Sequence, residues 1–269
     1  MLMVVDQIKC IALDLDGTLL HPMGKISDDS MRILKTYDER KIKIVICSRR
    51  HYREITLLLR ECGNINYSYI ISCDGQYIHD REGKLVWNNA FLKKLDVNYI
   101  QNIYAKAPIS FFTDLRDYYI APTLLTYFKK IVFSNGKECI FYKYNKCPDD
   151  AEIEKIVLNL KMSEYHKKKL SKKYTIHEIN NEKVELLEKN VNKYTALLKC
   201  SHYLEIDTDE ILYFGDDLND VEVFDNLSHC VAMGNAAEQI KKRAAYITKT
   251  NKEDGVAFFL TSVLNKYID

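Results

Sequence analysis

Short apolar runs alternate with amphipathic helical patterns at both ends of the chain, and this alternation is the feature that most constrains the fold. Near the N-terminus the apolar runs are residues 8–14, 41–48 and 67–72, and apolar residues recur at helical spacing between them. The runs are nearly continuous in apolar residues, which is typical of strands buried on both faces of a parallel sheet. The pattern therefore predicts a β-α-β-α-β unit.

The same alternation resumes in the last third of the chain. The predicted elements there are helices over 191–206, 218–227 and 253–268, and strands over 210–216, 229–233 and 245–248. Both ends of the chain therefore predict one α/β core with a doubly wound, Rossmann-like parallel sheet.

The middle of the chain has a different pattern, with tyrosine-rich, alternating strand candidates and one helical segment. The strand candidates are 109–121, 138–145, 173–180 and 183–189, the helix is 149–168, and a hairpin-like stretch over 79–88 opens the region. We predict an inserted α+β domain over residues 81–187, between two core segments at 1–80 and 188–269.

Composition excludes several classes of protein. Of 269 residues, 47% are apolar and 29% are charged, and no apolar run is long enough to span a bilayer. No signal peptide is apparent, so we expect a cytoplasmic protein. The net charge of +1 and a basic cluster over 166–173 without interleaved aromatics argue against a nucleic-acid partner. Eight cysteines without a CxxC or Cys/His cluster argue against zinc and disulfides.

Two carboxylates follow the first predicted strand directly. Asp14 ends the run and Asp16, Gly17 and Thr18 come next. Ligands of open parallel sheets bind at the carboxyl ends of the strands, so this position exposes Asp14. One carboxylate can then act as a nucleophile and metal ligand, and the second can exchange protons. The alternative is an ordinary Asp-Gly turn with an acidic cap.

A second strand end is also acidic. Asp216, Asp217, Asn219 and Asp220 fall within five positions after the run that ends at Gly215. Packing these groups together is costly without a cation or hydrogen-bond partners, and a divalent metal would relieve the repulsion. The alternative is a helix N-terminus rich in Asp and Asn.

Two further residues occupy places where a phosphate could be bound. Ser48 ends the second strand before a helix, where a hydroxyl and free backbone N–H groups can hold a phosphate oxygen. Lys193 begins a helix, where a cation opposes the helix dipole unless it has an anionic partner. A plain helix cap and a solvated surface lysine are the respective alternatives.

Taken in order, these residues resemble the four motifs of the haloacid dehalogenase superfamily of phosphohydrolases. The matching residues are "DLDGT" over 14–18, Ser48, Lys193 and "GDDLND" over 215–220. The stretch over 230–260 is similar to the C-terminal signature of the Cof-type sugar phosphatases, type IIB. In that subfamily the insertion, a C2-type cap, also lies between the second and third motifs.

The resemblance implies a two-step phosphoryl transfer with Mg²⁺ as cofactor. Asp14 would attack phosphorus to form an aspartyl phosphate, and Asp16 would protonate the leaving alcohol and then activate water. The metal would be held by Asp14, the Asp16 backbone carbonyl and Asp216. Ser48, Lys193 and Asn219 would hold the phosphoryl group, with Lys193 counted among the catalytic residues, and Asp220 would orient Lys193 and the water ligands of the metal.

Three positions depart from the usual pattern of the family. Arg49 stands where a glycine is common, Asp74 replaces an asparagine, and Tyr194 replaces a glycine after the motif lysine. Arg49 would either add a cation near the site or point to solvent. Asp74 should weaken the affinity for strongly anionic ligands if it faces inward. No departure removes a catalytic group.

The resemblance therefore favours a Mg²⁺-dependent phosphatase of small phosphorylated metabolites, above all sugar phosphates. The alternatives are a phosphomutase, which returns the phosphoryl group to a sugar, and a phosphate-binding protein without catalysis. The inserted domain would set substrate specificity. Within it the stretch over 112–119 could contact a sugar, with Arg116 available for a second anionic group, although an ordinary solvated hairpin is the alternative.

Overall fold

A computed structural model describes residues 7–63, 65–113, 117–120, 142–143 and 148–265. The chain divides into two compact units. The first combines Met1–Asn89 with Asn192–Asp269, and the second is Ala90–Val191. None of the helices in the described ranges has the length and apolarity required to cross a bilayer.

The first unit contains an eight-stranded sheet. In spatial order the strands are β14 (Tyr246–Ile247), β13 (Cys230–Ala232), β12 (Ile211–Gly215), β1 (Cys10–Asp14), β2 (Lys43–Cys47), β3 (Tyr69–Ser72), β4 (Tyr77–Asp80) and β5 (Leu85–Asn88). The strands from β14 to β3 are parallel, and β4 and β5 extend the sheet as an antiparallel hairpin. The predicted α/β core with a doubly wound parallel sheet is confirmed.

The order of the strands places β1 at the reversal point of the topology. The chain passes from β1 to β2 and β3 on one side and later returns to β12 and β13 on the other. All five residues of β1 are buried, because both faces of the sheet are covered. Crevices at such reversal points, outside the carboxyl ends of the strands, are where open α/β sheets bind ligands. Asp14 is the last residue of β1.

Within the described part of the first unit, six α-helices accompany this sheet. They are α1 (Asp28–Glu39), α2 (Tyr52–Glu61), α5 (Lys193–Leu204), α6 (Val221–Asn226), α7 (Glu238–Lys241) and α8 (Gly255–Asn265). Their starts follow capping chemistry: Ser27 accepts a hydrogen bond from the backbone N–H of Ser30 before α1, and His51 and Glu54 form a reciprocal capping box at α2.

The second unit has its own sheet and core. Its strands lie in the order β10 (Tyr174–Asn180), β11 (Lys183–Glu188), β9 (Lys155–Leu158), β6 (Ile109–Phe112), β7 (Asp117–Ile120) and β8 (Tyr142–Lys143), with helices α3 (Lys94–Ile103) and α4 (Glu164–Leu170). In its core the rings of Phe111 and Tyr118 stack with centroids 4.9 Å apart. This unit is the α+β insertion that the sequence predicts.

The predicted helix over 149–168 is wrong. Residues 155–158 form β9, which pairs with β11 on one side and β6 on the other, and only α4 is helical. Ile153, Ile156, Val157 and Leu160 satisfy helical spacing, but a short β-branched run satisfies a buried strand equally well. Pairing with two distant strands decides in favour of the strand.

The structure also differs from the prediction at the start of the insertion and in one of its strands. The hairpin of β4 and β5 pairs with β3 in the first unit. The sequence therefore passes from the first unit to the second between Asn89 and Ala90 rather than near Arg81. The strand predicted over 109–121 is two antiparallel strands, β6 and β7. Arg116 and most of the strand predicted over 138–145 lie outside the described residues.

Candidate active site

The turn after β1 buries one carboxylate and exposes the next. Asp14 is 5% exposed, whereas the side chain of Asp16 is 54% exposed. The backbone N–H of Leu19 donates a hydrogen bond to the carbonyl of Asp14. Gly17 has φ of 85°, a backbone conformation that disfavours residues with a Cβ. Both acids therefore lie at the carboxyl edge of the sheet in different environments.

This turn lies against the acidic loop that follows β12. The Thr18 hydroxyl donates to Asp216 Oδ1 at 3.0 Å. The Asn235 amide donates to the Gly17 carbonyl at 2.8 Å and to Asp216 Oδ2 at 3.3 Å. A Cβ at Gly17 would lie 2.1 Å from Asp216 Oδ2, so only glycine allows this approach.

Lys193 joins the two loops through buried ion pairs. Its side chain is completely buried, with Nζ 2.5 Å from Asp14 Oδ1 and 2.7 Å from Asp220 Oδ1. Burial alone would lower the pKa of Lys193, but the carboxylates of Asp14 and Asp220 outweigh it and raise the pKa. Lys193 is therefore a buried ammonium at the first position of α5, with the anionic partners that this position requires.

The Asp220 carboxylate accepts four hydrogen bonds. Its Oδ1 accepts from Lys193 Nζ and, at 2.7 Å, from the hydroxyl of Tyr213. Its Oδ2 accepts from the backbone N–H groups of Asp216 and Asp217 at 3.0 and 3.2 Å. Four donors use the hydrogen-bonding capacity of a carboxylate. Asp220 therefore orients Lys193 and the loop, and has no lone pair left for a metal.

The buried carboxyl group of Asp14 and the partly buried carboxyl group of Asp216 both have raised pKa values. Burial raises the pKa of Asp14 well above its usual value, against the opposing effect of Lys193. Burial, followed by the neighbouring charge of Asp220, raises the pKa of Asp216 to about 7. Among the described residues, no lysine, arginine or histidine forms an ion pair with Asp216. Asp14 and Asp216 together therefore have one cationic partner among the described residues, Lys193, which pairs with Asp14.

A divalent cation fits this deficit. One carboxylate oxygen from each of Asp14, Asp216 and Asp220 lies within 4.8 Å of the other two. With Asp220 saturated by donors, Asp14 Oδ2 and the Asp216 carboxylate are the oxygens best suited to a metal. Hard oxygen ligands of this kind suit Mg²⁺. The Asp16 backbone carbonyl, which the resemblance implies as a third ligand, stays a prediction.

Ser48 lies directly after β2 and is 1% exposed. It is not the cap of α2, because His51 has that position, so the alternative of a plain helix cap does not apply. Its Oγ accepts from the backbone N–H of Arg50 at 3.2 Å. Arg50 in turn donates from Nε and Nη2 to the two carboxylate oxygens of Asp16, both at 2.7 Å.

Asn219 is buried, and its side chain contacts one of the three departures from the family pattern. Its amide donates to Asp74 Oδ1 at 2.8 Å, and Arg49 Nε lies 3.3 Å from Asp74 Oδ2. Two departures, Arg49 and Asp74, therefore form one ion pair, and the charge of Asp74 is balanced. The third, Tyr194, is half-buried and packs against the core.

The structure thus brings Asp14, Lys193, Asp216 and Asp220 into one contiguous group, with Asp16, Ser48 and Asn219 on the loops around it. Sequence reasoning assigned no role to four residues that hold this group: Thr18, Arg50, Tyr213 and Asn235. Thr18 and Arg50 adjoin the acidic turn and Ser48 in the sequence. Tyr213 is in the middle of a strand, where periodicity alone indicates only a core residue.

Comparison with known proteins gives consistent results. Residues 11–260 match the haloacid dehalogenase-like hydrolase family. The chain is 30% identical to the 5-amino-6-(5-phospho-D-ribitylamino)uracil phosphatase YcsE of Bacillus subtilis, with 93% of each chain covered. It is 26% identical to YwtE, a phosphatase of the same compound from the same organism, and the match covers 96% of this chain and 98% of YwtE. A solved phosphatase of the haloalkanoate superfamily from Bacteroides thetaiotaomicron superposes with a TM-score of 0.79 at 20% identity over 95% of both chains.

Proposed function

Because the chain belongs to the Cof-type haloacid dehalogenase-like hydrolases and is a phosphoric monoester hydrolase, we propose that it is a Mg²⁺-dependent phosphatase of small sugar phosphates. The observation that carries the proposal is the buried contact of Lys193 with Asp14, beside the carboxylate of Asp216, which has no cationic partner among the described residues. Phosphoryl transfer needs a nucleophile surrounded by positive charge, and this group supplies both.

In the first step, Asp14 forms a bond to phosphorus while the bond from phosphorus to the ester oxygen breaks. Asp16 gives its proton to the departing alkoxide. Lys193 stays hydrogen-bonded to Asp14 and offers positive charge to the phosphoryl oxygens. Ser48 and Asn219 donate hydrogen bonds to the same oxygens. A bound Mg²⁺, held by Asp14 and Asp216, would neutralise part of the charge on the transferred group.

In the second step, Asp16 takes a proton from a water molecule and the oxygen of the resulting hydroxide attacks phosphorus. The bond from phosphorus to Asp14 breaks, inorganic phosphate leaves, and Asp14 is restored as a carboxylate. The pair of Asp16 with Arg50 matters here, because Arg50 holds the carboxylate at the surface of the turn. We expect this pair to be present in the second step, when Asp16 acts as a base, and to open in the first step, when Asp16 acts as an acid.

The proposed substrate class draws on the curated relatives. Two of them are named as phosphatases of a phosphorylated ribityl compound, in which the phosphate is on a sugar-alcohol chain. A sugar phosphate or sugar-alcohol phosphate is therefore the proposed substrate of this chain. The inserted unit, Ala90–Val191, is the proposed determinant of which one.

The test is phosphate release from sugar phosphates, nucleotides and cofactor phosphates, in Mg²⁺ and in EDTA. We expect release in Mg²⁺ only, and none from Asp14→Asn. Asp29→Asn, an exposed change on α1, is the matched control and should leave turnover intact. Full turnover in Asp14→Asn would contradict the proposal. Phosphorus NMR of the products distinguishes hydrolysis from transfer to a second sugar, which a phosphomutase would give.

A further inference from the structure

The turn after β3 places a buried carboxylate beside the candidate phosphate site. Asp74 is 4% exposed and has φ of 55°, in the left-handed region. The backbone N–H of Asp74 donates to the Ser48 carbonyl at 3.1 Å, and that of Cys73 donates to the Arg50 carbonyl at 3.0 Å. These two bonds attach the turn to the loop that contains Ser48.

The same turn also lies against the segment that precedes Lys193. A Cβ at Gly75 would lie 2.2 Å from the Asn192 carbonyl oxygen, so the two backbones are in close contact. Asp74 is one of the three carboxylates that raise the pKa of Lys193, after Asp14 and Asp220. The turn that contains Asp74 therefore contacts both the Ser48 loop and the segment before Lys193.

The chemistry of the Asp74 contact with Asn219 fixes the orientation of an amide. A carboxylate only accepts hydrogen bonds, so only the nitrogen end of the Asn219 amide can face it. A neutral asparagine at position 74 could pair with either end of that amide. Asp74 thus selects one of two orientations for Asn219, which is itself 5% exposed and has little room to adjust.

This arrangement carries an electrostatic cost that Arg49 removes. A buried negative charge near a site for a phosphate dianion repels the ligand unless a cation balances it. Arg49 Nε lies 3.3 Å from Asp74 Oδ2, and its Nη1 lies 3.9 Å from the exposed Asp217. The side chain of Arg49 is 29% exposed, so the pair is partly screened by solvent.

We propose that Asp74 is a positioning residue that fixes the Asn219 amide for the phosphoryl group, and that Arg49 is the counter-charge that makes Asp74 compatible with an anionic ligand. The proposal rests on the proposed function, because it takes Asn219 as a phosphate contact. Arg49 and Asp74 then act as a unit, and the loss caused by removing Arg49 alone should be reversed by removing the charge of Asp74 as well.

The experiment uses the full-length protein with Mg²⁺ and two probes, p-nitrophenyl phosphate for turnover and inorganic phosphate for affinity by calorimetry. The variants are Arg49→Gln, Asp74→Asn, the double variant, and Arg49→Lys, which keeps the charge. Arg243→Gln is the matched control, because Arg243 also forms a partly exposed ion pair, with Asp225. Thermal unfolding followed by Trp87 fluorescence checks that each variant is folded.

For Arg49→Gln we expect phosphate affinity to fall about tenfold and KM to rise by the same factor, with kcat nearly unchanged. Asp74→Asn should instead lower kcat, because the Asn219 amide loses its single orientation. The double variant should recover phosphate affinity to within about threefold of the wild type. Arg49→Lys should bind phosphate nearly as well as the wild type, and Arg243→Gln should match it.

Additive losses in the double variant, or equal behaviour of Arg49→Gln and Arg243→Gln, would overturn the proposal while leaving the phosphatase function standing. A wild-type protein that neither binds inorganic phosphate nor hydrolyses the ester would overturn both. Reduced stability without a change in phosphate affinity in Arg49→Gln would assign the pair a structural role only, and so would also overturn the proposal.

Discussion

Lys193 is a fully buried ammonium between two buried carboxylates, and it is the residue on which the charge balance of the site depends. With Asp216 included, three carboxyl groups lie close together, and among the described residues Lys193 is the one cation that forms an ion pair with any of them. Removing one partner of a buried ion pair leaves an uncompensated charge, which typically costs more than the pair contributes. This shortage of positive charge would also favour the binding of a divalent cation at the three carboxyl groups.

Replacing Lys193 with methionine should therefore abolish turnover and lower the free energy of unfolding by about 3–5 kcal/mol. The physical reason is that Asp14 and Asp220 lose their shared cation in a buried environment. Urea denaturation and phosphate release measure the two effects. Lys199→Met, an exposed change on the same helix, should leave both near their wild-type values. A Lys193→Met protein that is as stable as Lys199→Met would contradict this account.

The raised pKa of Asp216, about 7, makes stability depend on pH in a defined direction. Between its ordinary value near 4 and its folded value, Asp216 holds a proton in the folded state that it releases on unfolding. The free energy of unfolding of the metal-free protein should therefore fall as pH rises through this window.

Asp216→Asn removes this contribution. In EDTA we expect the variant to gain stability relative to the wild type as pH rises from about 4 to about 7, by on the order of 1–4 kcal/mol. In Mg²⁺ the order should reverse, because only the wild type keeps the carboxylate that the metal needs. Urea denaturation across this pH range measures both. A constant difference between the two proteins in EDTA would show that Asp216 does not carry the raised pKa.

The turn between β1 and α1 contains a matched pair of glycines that separates backbone strain from site geometry. Gly17 and Gly24 both have positive φ, 85° and 76°. A Cβ at Gly17 would collide with Asp216, whereas a Cβ at Gly24 would meet nothing within 4 Å. Alanine at either position carries the strain of the left-handed region, about 1 kcal/mol or somewhat more.

Gly17→Ala should in addition displace Asp216 and remove turnover and Mg²⁺ affinity. Gly24→Ala should keep both and lose only the stability that backbone strain explains. Phosphate release and calorimetric Mg²⁺ titration check the difference. Equal activity in the two variants would mean that the close approach of the turn to Asp216 is dispensable.

At the level of elements, sequence reasoning succeeded where local pattern and long-range pairing agree. The strands that end at Asp14 and Gly215 are continuous apolar runs followed directly by acids, so their ends could be predicted. The strand β9 could not, because Ile153, Ile156 and Val157 fit a helix locally and only its pairing with β11 and β6 makes it a strand. Helix α3 was not predicted at all.

The site shows the same division. Residue types and order predicted which side chains would gather at the sheet edge. They did not predict that Arg49 and Asp74 would pair, because that contact depends on a turn with two successive non-glycine residues, Cys73 and Asp74, at positive φ. Such backbone conformations are set by packing against neighbouring loops, here those of Ser48 and Asn192, and leave no periodic trace in the sequence.

On the scale of the whole molecule, the described residues form two hydrophobic cores, one in each compact unit. All the residues assigned to the candidate site belong to the first unit, as does Trp87, the single tryptophan of the chain. Trp87 packs against the first core, so its fluorescence reports on that unit.

Mg²⁺ should therefore raise the unfolding midpoint seen by Trp87 fluorescence, because a ligand that binds only the folded state stabilises it, by about 2.7 kcal/mol at one hundred times its dissociation constant. Asp216→Asn should show no shift. A wild-type midpoint that does not move with Mg²⁺ would contradict metal binding in the first unit.

The pairing of β1 with both β2 and β12 has a consequence for the order of synthesis. A ribosome delivers Asp14 and Asp16 early, on a strand whose second neighbour has not yet been made. Lys193, Asp216 and Asp220 emerge only after the entire second unit. A nascent or prematurely terminated chain thus has the proposed nucleophile without Lys193 or Asp216, so the candidate site can assemble only when translation is almost complete.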